Sequence, residues 1–159
     1  GQRNSILVHG GGTRTIDRQV SEVAQKLRLS GFKVFTDIQD DENVFDYSNE
    51  AWGSLGVVVC RPGAGTATEC VKWKIPMIVI RDPQNSEAEF IAERLSSLGL
   101  AHGFSDGLSS SDLAGLAEDV IIGGRTSYYL KPFETCIGNG ITEAVDYLES
   151  HWKLNECHL

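Results

Sequence analysis

The sequence has few basic residues and no long apolar run, and each shortage excludes a class of protein. Among 159 residues there are 14 Lys and Arg against 22 Asp and Glu, so the formal net charge is −8. A nucleic-acid-binding surface needs clustered cations that displace counterions from phosphates, and we therefore expect no nucleic-acid partner. The longest apolar stretch, 75–80, is far too short to cross a bilayer.

Cysteine is also scarce. The four cysteines, Cys60, Cys70, Cys136 and Cys157, form no CxxC pair and have no histidine at the spacing of a zinc site. We expect buried free thiols, neither a bound metal nor a cofactor, and a reducing, cytoplasmic location. The length and the 41% hydrophobic content suit a single domain, 1–159. Because no initiator methionine is present, we expect a trimmed chain or a fragment of a longer one.

Apolar runs and helical periodicity alternate along the chain. Short runs rich in β-branched residues predict buried strands at 6–9, 32–36, 56–60 and 76–80. Amphipathic spacing predicts helices at 15–30, 66–74, 87–98, 109–120 and 141–152. In the 87–98 helix, one stripe is expected to carry Phe90, Ile91, Arg94, Leu95 and Leu98. Residues 37–46 are expected to form a loop, or a loop with one turn of helix, and residues 121–125 and 131–134 to form loops and packing contacts. This alternation predicts an α/β fold, a Rossmann-like parallel sheet with helices on both faces.

Glycine-rich turns follow two of these strands. Ligands of parallel sheets bind outside the carboxyl ends of the strands, so both turns are expected at one binding edge. The first turn, His9-Gly10-Gly11-Gly12-Thr13-Arg14-Thr15, contains no bulky apolar side chain. Glycines let backbone N–H groups approach an anion, and a helix N-terminus favours negative charge, so this turn predicts a phosphate site. The alternative is a tight turn that needs left-handed glycines, with Thr15 as an ordinary N-cap.

The second turn lies in the segment Arg61-Pro62-Gly63-Ala64-Gly65-Thr66-Ala67-Thr68-Glu69. Gly63 and Gly65 permit a ligand to approach the backbone closely, and Thr66 is suited to cap the helix that follows. Glu69 is expected one turn into that helix, where its carboxylate can accept hydrogen bonds from both vicinal hydroxyls of a ribose. The alternative is that Glu69 is a solvated acid that complements the helix dipole.

This segment and the following Lys74-Ile75-Pro76-Met77-Ile78-Val79-Ile80 resemble a known family. It is the donor-binding C-terminal domain of UDP-sugar transferases with the glycosyltransferase-B fold, the family of the bacterial lipid-II-forming N-acetylglucosaminyltransferase. The family pattern is a strand, Arg/His-x-Gly-Ala-x-Thr-x-x-Glu, then Gly-x-Pro and another strand. The resemblance covers about residues 6–100. It includes Gly10-Gly11-Gly12, where the family has a loop that contacts the donor phosphate.

The resemblance implies a set of donor-binding residues. They are Gly11, Gly12, Thr13, Arg61, Gly63, Ala64, Gly65, Thr66, Glu69, Asn85 and Glu87. Gly11, Gly12 and Thr13 would contact the diphosphate, the backbone at 64–66 would approach the sugar or phosphate, and Glu69 would hold the ribose. Asn85 and Glu87 stand where the family has glutamines that bind sugar hydroxyls, so the identity of the sugar stays open. Lys74 replaces the usual glycine before the Ile-Pro pair.

A second half of the enzyme is also implied, because this fold places the acceptor and any catalytic base on a separate N-terminal domain. None of the histidines is a convincing base: His9 is expected to be packed at a strand end, and His102, His151 and His158 to lie at the surface. The resemblance therefore implies a half-enzyme that binds a nucleotide-sugar donor, needs an acceptor-binding domain or subunit, and is inactive alone. Any membrane association would be peripheral, through the missing half.

Two other functions fit some of these residues. The segment 63–69 also matches the Gly-x-Gly-Thr-x-x-Glu of nucleotide-monophosphate phosphoribohydrolases, the lysine-decarboxylase-like family, in which the Glu assists N-glycosidic cleavage. That family has a second glycine where Pro62 stands and an Arg-Lys pair upstream, whereas residues 37–60 contain neither Arg nor Lys. The third alternative is a non-catalytic nucleotide-sugar-binding or partner subunit.

Overall fold

A parallel β-sheet forms the centre of the domain. The computed structural model describes residues 3–12, 14–105, 107–122 and 126–136. The strands of the sheet are β1 (Ser5–His9), β2 (Lys33–Thr36), β3 (Leu55–Cys60), β4 (Met77–Val79) and β5 (Ala101–His102). Their order across the sheet is β2-β1-β3-β4-β5, and every neighbouring pair is parallel. The predicted Rossmann-like α/β fold is confirmed.

Helices cover both faces of this sheet. They are α1 (Asp17–Leu29), α2 (Asn49–Ser54), α3 (Ala64–Trp73), α4 (Ser86–Ser97), α5 (Ser110–Ile122) and α6 (Thr126–Cys136). A 3-10 turn, Arg14–Ile16, leads from the first glycine-rich turn into α1. None of the helices in the described ranges combines the length and the apolar character that a membrane span needs.

Successive residues of each strand pack into two separate hydrophobic layers, because side chains alternate across a pleated sheet. In β3, Val57 and Val59 pack with residues of α1 and α5, whereas Val58 and Cys60 pack with residues of α2, α3 and α4. The thiols of Cys60 and Cys70 are buried and free, as predicted. Burial raises the pKa of the Cys60 thiol to about 12, so this thiol stays protonated.

Helix α4 buries only part of the predicted stripe, since Leu95 is buried and Ile91 packs against the core. Phe90 is 67% exposed and Leu98 is 49% exposed, whereas the fully covered residues are Ala88, Ala92 and Leu95. The buried face thus combines two alanines with Leu95, whereas Phe90 and Leu98 project outward.

One of the three segments that were expected to form loops is helical throughout. Residues 131–134 lie within α6, which contains Pro132 and the fully buried Phe133. Proline disfavours a helix interior, so tertiary packing has overridden local propensity here. Strand β5 and helix α2 were not predicted either, and both are short. The predicted terminal helix, 141–152, lies outside the described residues, as does Cys157.

Lys74 ends α3 in the left-handed conformation, with φ of 54°. A side chain in this conformation is disfavoured by roughly 1–2 kcal/mol relative to glycine, and the greater flexibility of glycine in the unfolded chain offsets part of that. We expect Lys74→Gly to raise the free energy of unfolding by about 0.5–1 kcal/mol, measured by urea denaturation. Lys72→Gly, in the helical part of α3, is the matched control and should lower it by about 1 kcal/mol. A lower free energy of unfolding in Lys74→Gly would show that the left-handed conformation of Lys74 does not cost the protein stability.

Candidate functional site

The two glycine-rich turns lie side by side at the carboxyl edge of the sheet. Strands β1 and β3 are neighbours, and His9 pairs with Cys60 at their ends. From β1 the chain continues to β2 on one side, whereas from β3 it continues to β4 on the other. The strand order therefore reverses between β1 and β3, which is where open α/β sheets bind ligands. The prediction of one shared edge is confirmed.

In the first turn, Gly11 and Gly12 both adopt φ of 76°. The N–H of Gly10 donates to both carboxylate oxygens of Asp37 at 3.1 Å. The N–H of Gly11 donates to His9 Nδ1 at 2.9 Å, and its carbonyl accepts from Arg61 at 2.6 Å. The backbone of Gly11 is thus engaged within the protein, whereas a Cβ added at Gly12 would meet no atom within 4 Å. Among the three glycines of this turn, Gly12 is therefore the one that faces open space; Thr13 lies outside the described residues.

His9 is buried at the end of β1, as predicted. Because Nδ1 accepts from Gly11, the neutral ring carries its proton on Nε2, which lies 3.1 Å from the Tyr47 hydroxyl and donates to it. Burial lowers the His9 pKa; Asp37 opposes this shift and Arg61 adds to it. The ring is therefore neutral at pH 7, and both nitrogens are used to join the glycine-rich turn to Tyr47.

The other histidines do not reach this edge within the described residues. His102 was expected at the surface, but it is half-buried in β5 and its ring packs edge-on against Tyr129 with centroids 4.6 Å apart. Its burial lowers its pKa. The prediction failed because His102 lies in a strand that the sequence pattern did not predict. His151 and His158 lie outside the described residues.

The second turn opens the N-terminus of α3 to solvent. The helix begins at Ala64, two residues earlier than predicted, and Gly63 rather than Thr66 occupies the N-cap position. Since Gly63 has no side chain, no side-chain hydrogen bond caps the helix. A Cβ added at Gly63 or Gly65 would meet no atom within 4 Å. The first N–H groups of α3 are therefore accessible to an anion.

Glu69 lies in the second turn of α3, and the first turn contains no acidic residue. Its Oε2 accepts from the Trp73 indole N–H at 3.1 Å and lies 3.4 Å from the Lys72 ammonium. An acidic residue stabilises a helix dipole mainly when it lies in the first turn. The position of Glu69 in the second turn therefore argues against the alternative that it only complements the dipole of α3. The neighbouring indole and ammonium orient the carboxylate instead.

A cleft of about 670 Å³ extends from the N-terminus of α3 to Glu69. It is lined by Tyr47, Asn49, Trp52, Ala64, Gly65, Thr66, Thr68, Glu69 and Lys72. The cleft thus brings together four of the predicted donor-binding residues: Ala64, Gly65, Thr66 and Glu69. Asn85 and Glu87 are not among the lining residues: the Asn85 side chain caps α4 by accepting from the Ala88 N–H at 2.9 Å, and Glu87 is exposed.

Tyr47 and Trp52 are cleft residues that the sequence analysis missed. Tyr47 has φ of 60°, which is uncommon for a large side chain, and the residue is 51% exposed although its ring packs against Phe45 with centroids 5.0 Å apart. Such backbone conformations concentrate at functional sites. The sequence does place these two aromatic residues on either side of Ser48 and Asn49, where the short helix α2 begins. This helix lies between the acidic loop 37–46 and the buried strand β3.

Arg61 turns away from the cleft and is only 6% exposed. Its Nη1 donates to Asp82 Oδ2 at 3.0 Å, and its Nη2 donates to the Gly11 carbonyl. Asp82 follows β4 and is 7% exposed; it was not predicted as a site residue. This ion pair connects the ends of β3 and β4 with the first turn.

Comparison with known proteins gives a family and a fold. The family model for the glycosyltransferase family 28 C-terminal domain matches residues 5–106. No curated protein matches the chain significantly. Similar solved structures include the glycotransferase of kitacinnamycin, with 18% identity and a TM-score of 0.63, where the match covers 94% of this chain and 43% of that one.

Two further similar structures contain nucleotides. Os79 from O. sativa in complex with UDP has 14% identity and a TM-score of 0.64, over 85% of this chain and 35% of that one. Phytolacca americana UGT2, complexed with UDP-2fluoro-glucose and pterostilbene, has 15% identity and a TM-score of 0.62, over 96% and 42%. The chain therefore spans less than half the length of each of these structures.

Proposed function

Because the chain belongs to the family of glycosyltransferase family 28 C-terminal domains, we propose that it is the nucleotide-sugar-binding half of a glycosyltransferase, with a UDP-sugar as donor. The observation that carries the proposal is the N-terminus of α3. No side chain caps it, it lies at the reversal of strand order, and it opens onto the cleft that contains Glu69. An anionic group at one end and a ribose at the other suit a nucleoside diphosphate.

The diphosphate would lie between the two glycine-rich turns. The free N–H groups at the start of α3 and the favourable end of the helix dipole would bind its oxygens. Gly63 and Gly65 leave room for this contact, and Gly12 likewise has open space beside it. Gly11 would act by shaping the turn, since its own N–H and carbonyl are already hydrogen-bonded.

The nucleoside would occupy the part of the cleft between Glu69 and the aromatic residues. A carboxylate can accept from both ribose hydroxyls, and Trp73 and Lys72 hold it in place. Tyr47, which is half exposed, offers an aromatic face for the base, and the buried Trp52 supports the floor of the cleft beside it. Two of the similar structures contain UDP or a UDP-sugar analogue, which favours a uridine nucleotide.

Transfer of a hexosyl or N-acetylhexosaminyl group would need an acceptor-binding half, supplied by a separate domain or subunit. The similar structures are more than twice as long as the matched region. No histidine lines the described cleft, and His9 uses both ring nitrogens in hydrogen bonds. We therefore propose that the acceptor half supplies the catalytic base. Any peripheral contact with a membrane would also be made by that half, and the proposed location of the protein is the cytoplasm.

Ligand-induced stabilisation tests the proposal. UDP at ten times its dissociation constant should raise the free energy of unfolding by about 1.4 kcal/mol, or the melting temperature by roughly 3–6 °C. Differential scanning fluorimetry with UDP, UDP-sugars, GDP and AMP would measure this. The absence of a shift with every nucleoside diphosphate and nucleotide sugar would overturn the proposal. Release of adenine from AMP by the chain would support a phosphoribohydrolase instead.

Gly65→Ala separates stability from binding. We expect the protein to gain about 0.5 kcal/mol of stability, because alanine favours the helix and its Cβ meets no protein atom. The same Cβ would occupy the space of the diphosphate, so the dissociation constant for UDP, measured by calorimetry, should rise about tenfold, or ~1.4 kcal/mol. Gly115→Ala in α5 also enters open space and serves as the matched control, with a similar gain and unchanged affinity. Unchanged affinity in Gly65→Ala would place the ligand elsewhere.

A further inference from the structure

We propose that Arg61 and Asp82 are positioning residues that hold the Gly10–Gly12 turn in its donor-binding conformation and do not touch the donor. The proposal rests on the proposed function, because it concerns the same diphosphate. It replaces the expectation that the Arg61 side chain itself binds the donor.

Burial and hydrogen bonding direct the Arg61 guanidinium into the protein. The side chains of Arg61 and Asp82 are 7% and 8% exposed, and Arg61 is not among the residues that line the cleft. One guanidinium nitrogen donates to Asp82 Oδ2 at 3.0 Å and another donates to the Gly11 carbonyl at 2.6 Å. The planar guanidinium can bind both acceptors at once, which an ammonium cannot do from the same position.

The contact with Gly11 depends on its being glycine. A Cβ at Gly11 would lie 2.9 Å from Arg61 Nη2 and 3.1 Å from Nε, so the turn lies directly against the guanidinium. The backbone N–H of Arg61 also donates to the His9 carbonyl at 3.2 Å. The backbone N–H and the guanidinium of Arg61 therefore bind the carbonyls of His9 and Gly11, the residues on either side of Gly10.

Asp82 extends this connection to the next strand. Its carboxylate lies 3.4 Å from the Thr15 hydroxyl, which donates to it, and its backbone N–H donates to Glu89 at 3.0 Å. The turns after β1, β3 and β4 are thus joined through one ion pair. Rotation of the Gly10–Gly12 turn would break the Gly11 bond and leave a buried charge less satisfied.

Charge compensation argues for the same role. Asp82 cancels the charge of Arg61 at 3.0 Å, so the pair adds little attraction for a phosphate. Buried ion pairs also tend to contribute little net stability, because desolvation offsets the Coulombic attraction. Conformational control of the turn is the effect that the geometry supports.

Asp82→Asn gives opposite results for the two roles. If Arg61 bound phosphate directly, removal of its counter-charge would tighten UDP binding or leave it unchanged. The positioning role instead predicts a dissociation constant for UDP at least tenfold higher, with affinity for uridine unchanged. Arg61→Lys, which keeps the positive charge, should weaken UDP binding to a similar extent. The double variant should bind UDP no more weakly than the single variant with the lower affinity. Tighter or unchanged UDP binding in Asp82→Asn would overturn the proposal.

A measurement without ligand separates this proposal from the proposed function. In Asp82→Asn, amide exchange of Gly11 followed by NMR should accelerate at least tenfold relative to amides in β1. Arg81→Gln is the matched control: it breaks the neighbouring Arg81–Glu89 pair, which meets Asp82 at its backbone N–H and not at the carboxylate that holds Arg61, so it should change neither exchange at Gly11 nor UDP affinity. Unchanged exchange in Asp82→Asn would overturn the positioning role even if UDP binds. Accelerated exchange in a protein that fails to bind UDP would overturn only the proposed function.

Discussion

Gly11→Ala is expected to lower the free energy of unfolding by about 3 kcal/mol or more, the largest effect that we predict for a single substitution. Two costs add. Alanine at φ of 76° is disfavoured by roughly 1–2 kcal/mol. Its Cβ would also displace the Arg61 guanidinium and weaken a hydrogen bond to a charged donor, for about 1.5–3 kcal/mol more.

Arg61 cannot relieve this contact by a simple rotation. Although the contacting atom lies at the end of a long side chain, Asp82 holds the guanidinium from the other side. Gly12→Ala is the matched control, because it has the same φ but its Cβ meets no atom within 4 Å. Chemical denaturation of both variants isolates the contact from the backbone strain. Equal losses in the two variants would show that the Arg61 contact contributes nothing.

Glu69→Ala is expected to weaken UDP binding by about 1–3 kcal/mol, which corresponds to a dissociation constant roughly 5 to 150 times higher. The reason is the loss of the carboxylate that would accept from both ribose hydroxyls. Isothermal titration calorimetry with UDP measures the effect directly. 2′-Deoxyuridine diphosphate keeps only the 3′ hydroxyl as a partner for Glu69, so it should bind the wild type more weakly than UDP does and should lose less affinity than UDP in the variant.

Glu93→Ala provides the control for a loss of acidic charge. Glu93 is exposed on α4 and does not line the cleft, so its removal should leave UDP affinity unchanged. If Glu69 served only the helix dipole, Glu69→Ala would lower stability by about 0.3–1 kcal/mol and leave UDP affinity unchanged. That pair of results would contradict the assignment of Glu69 to ribose.

Strong local patterns predicted the fold well. Strands β1, β3 and β4 were predicted within two residues at each end, because a strand that is buried on both faces needs a continuous apolar run. The start of α5 was also predicted within one residue, and Ser109 and Asp112 exchange hydrogen bonds there. Prediction failed where the pattern was short or broken, as in the two-residue β5 and in α6 with its internal proline.

The candidate site was predicted in part. The glycines at 63 and 65 and the carboxylate at 69 could be identified because their spacing is local to one turn and one helix. Tyr47 and Trp52 were missed, because nothing in an acidic loop indicates that its end will fold over a helix 12 or more residues away. Arg61 was identified as a site residue, but its partners lie 50 and 21 positions away in the chain.

The sequence by itself therefore determined the strand that leads to each glycine-rich turn and the helix that follows it, since these depend on contacts between near neighbours. Only the tertiary structure decided which backbone groups of those turns remain available. Gly11 is engaged by His9 and Arg61, whereas Gly12 and the first turn of α3 face open space. The physical reason is that a hydrogen bond depends on distances within an ångström, and these are set by packing of the whole sheet edge.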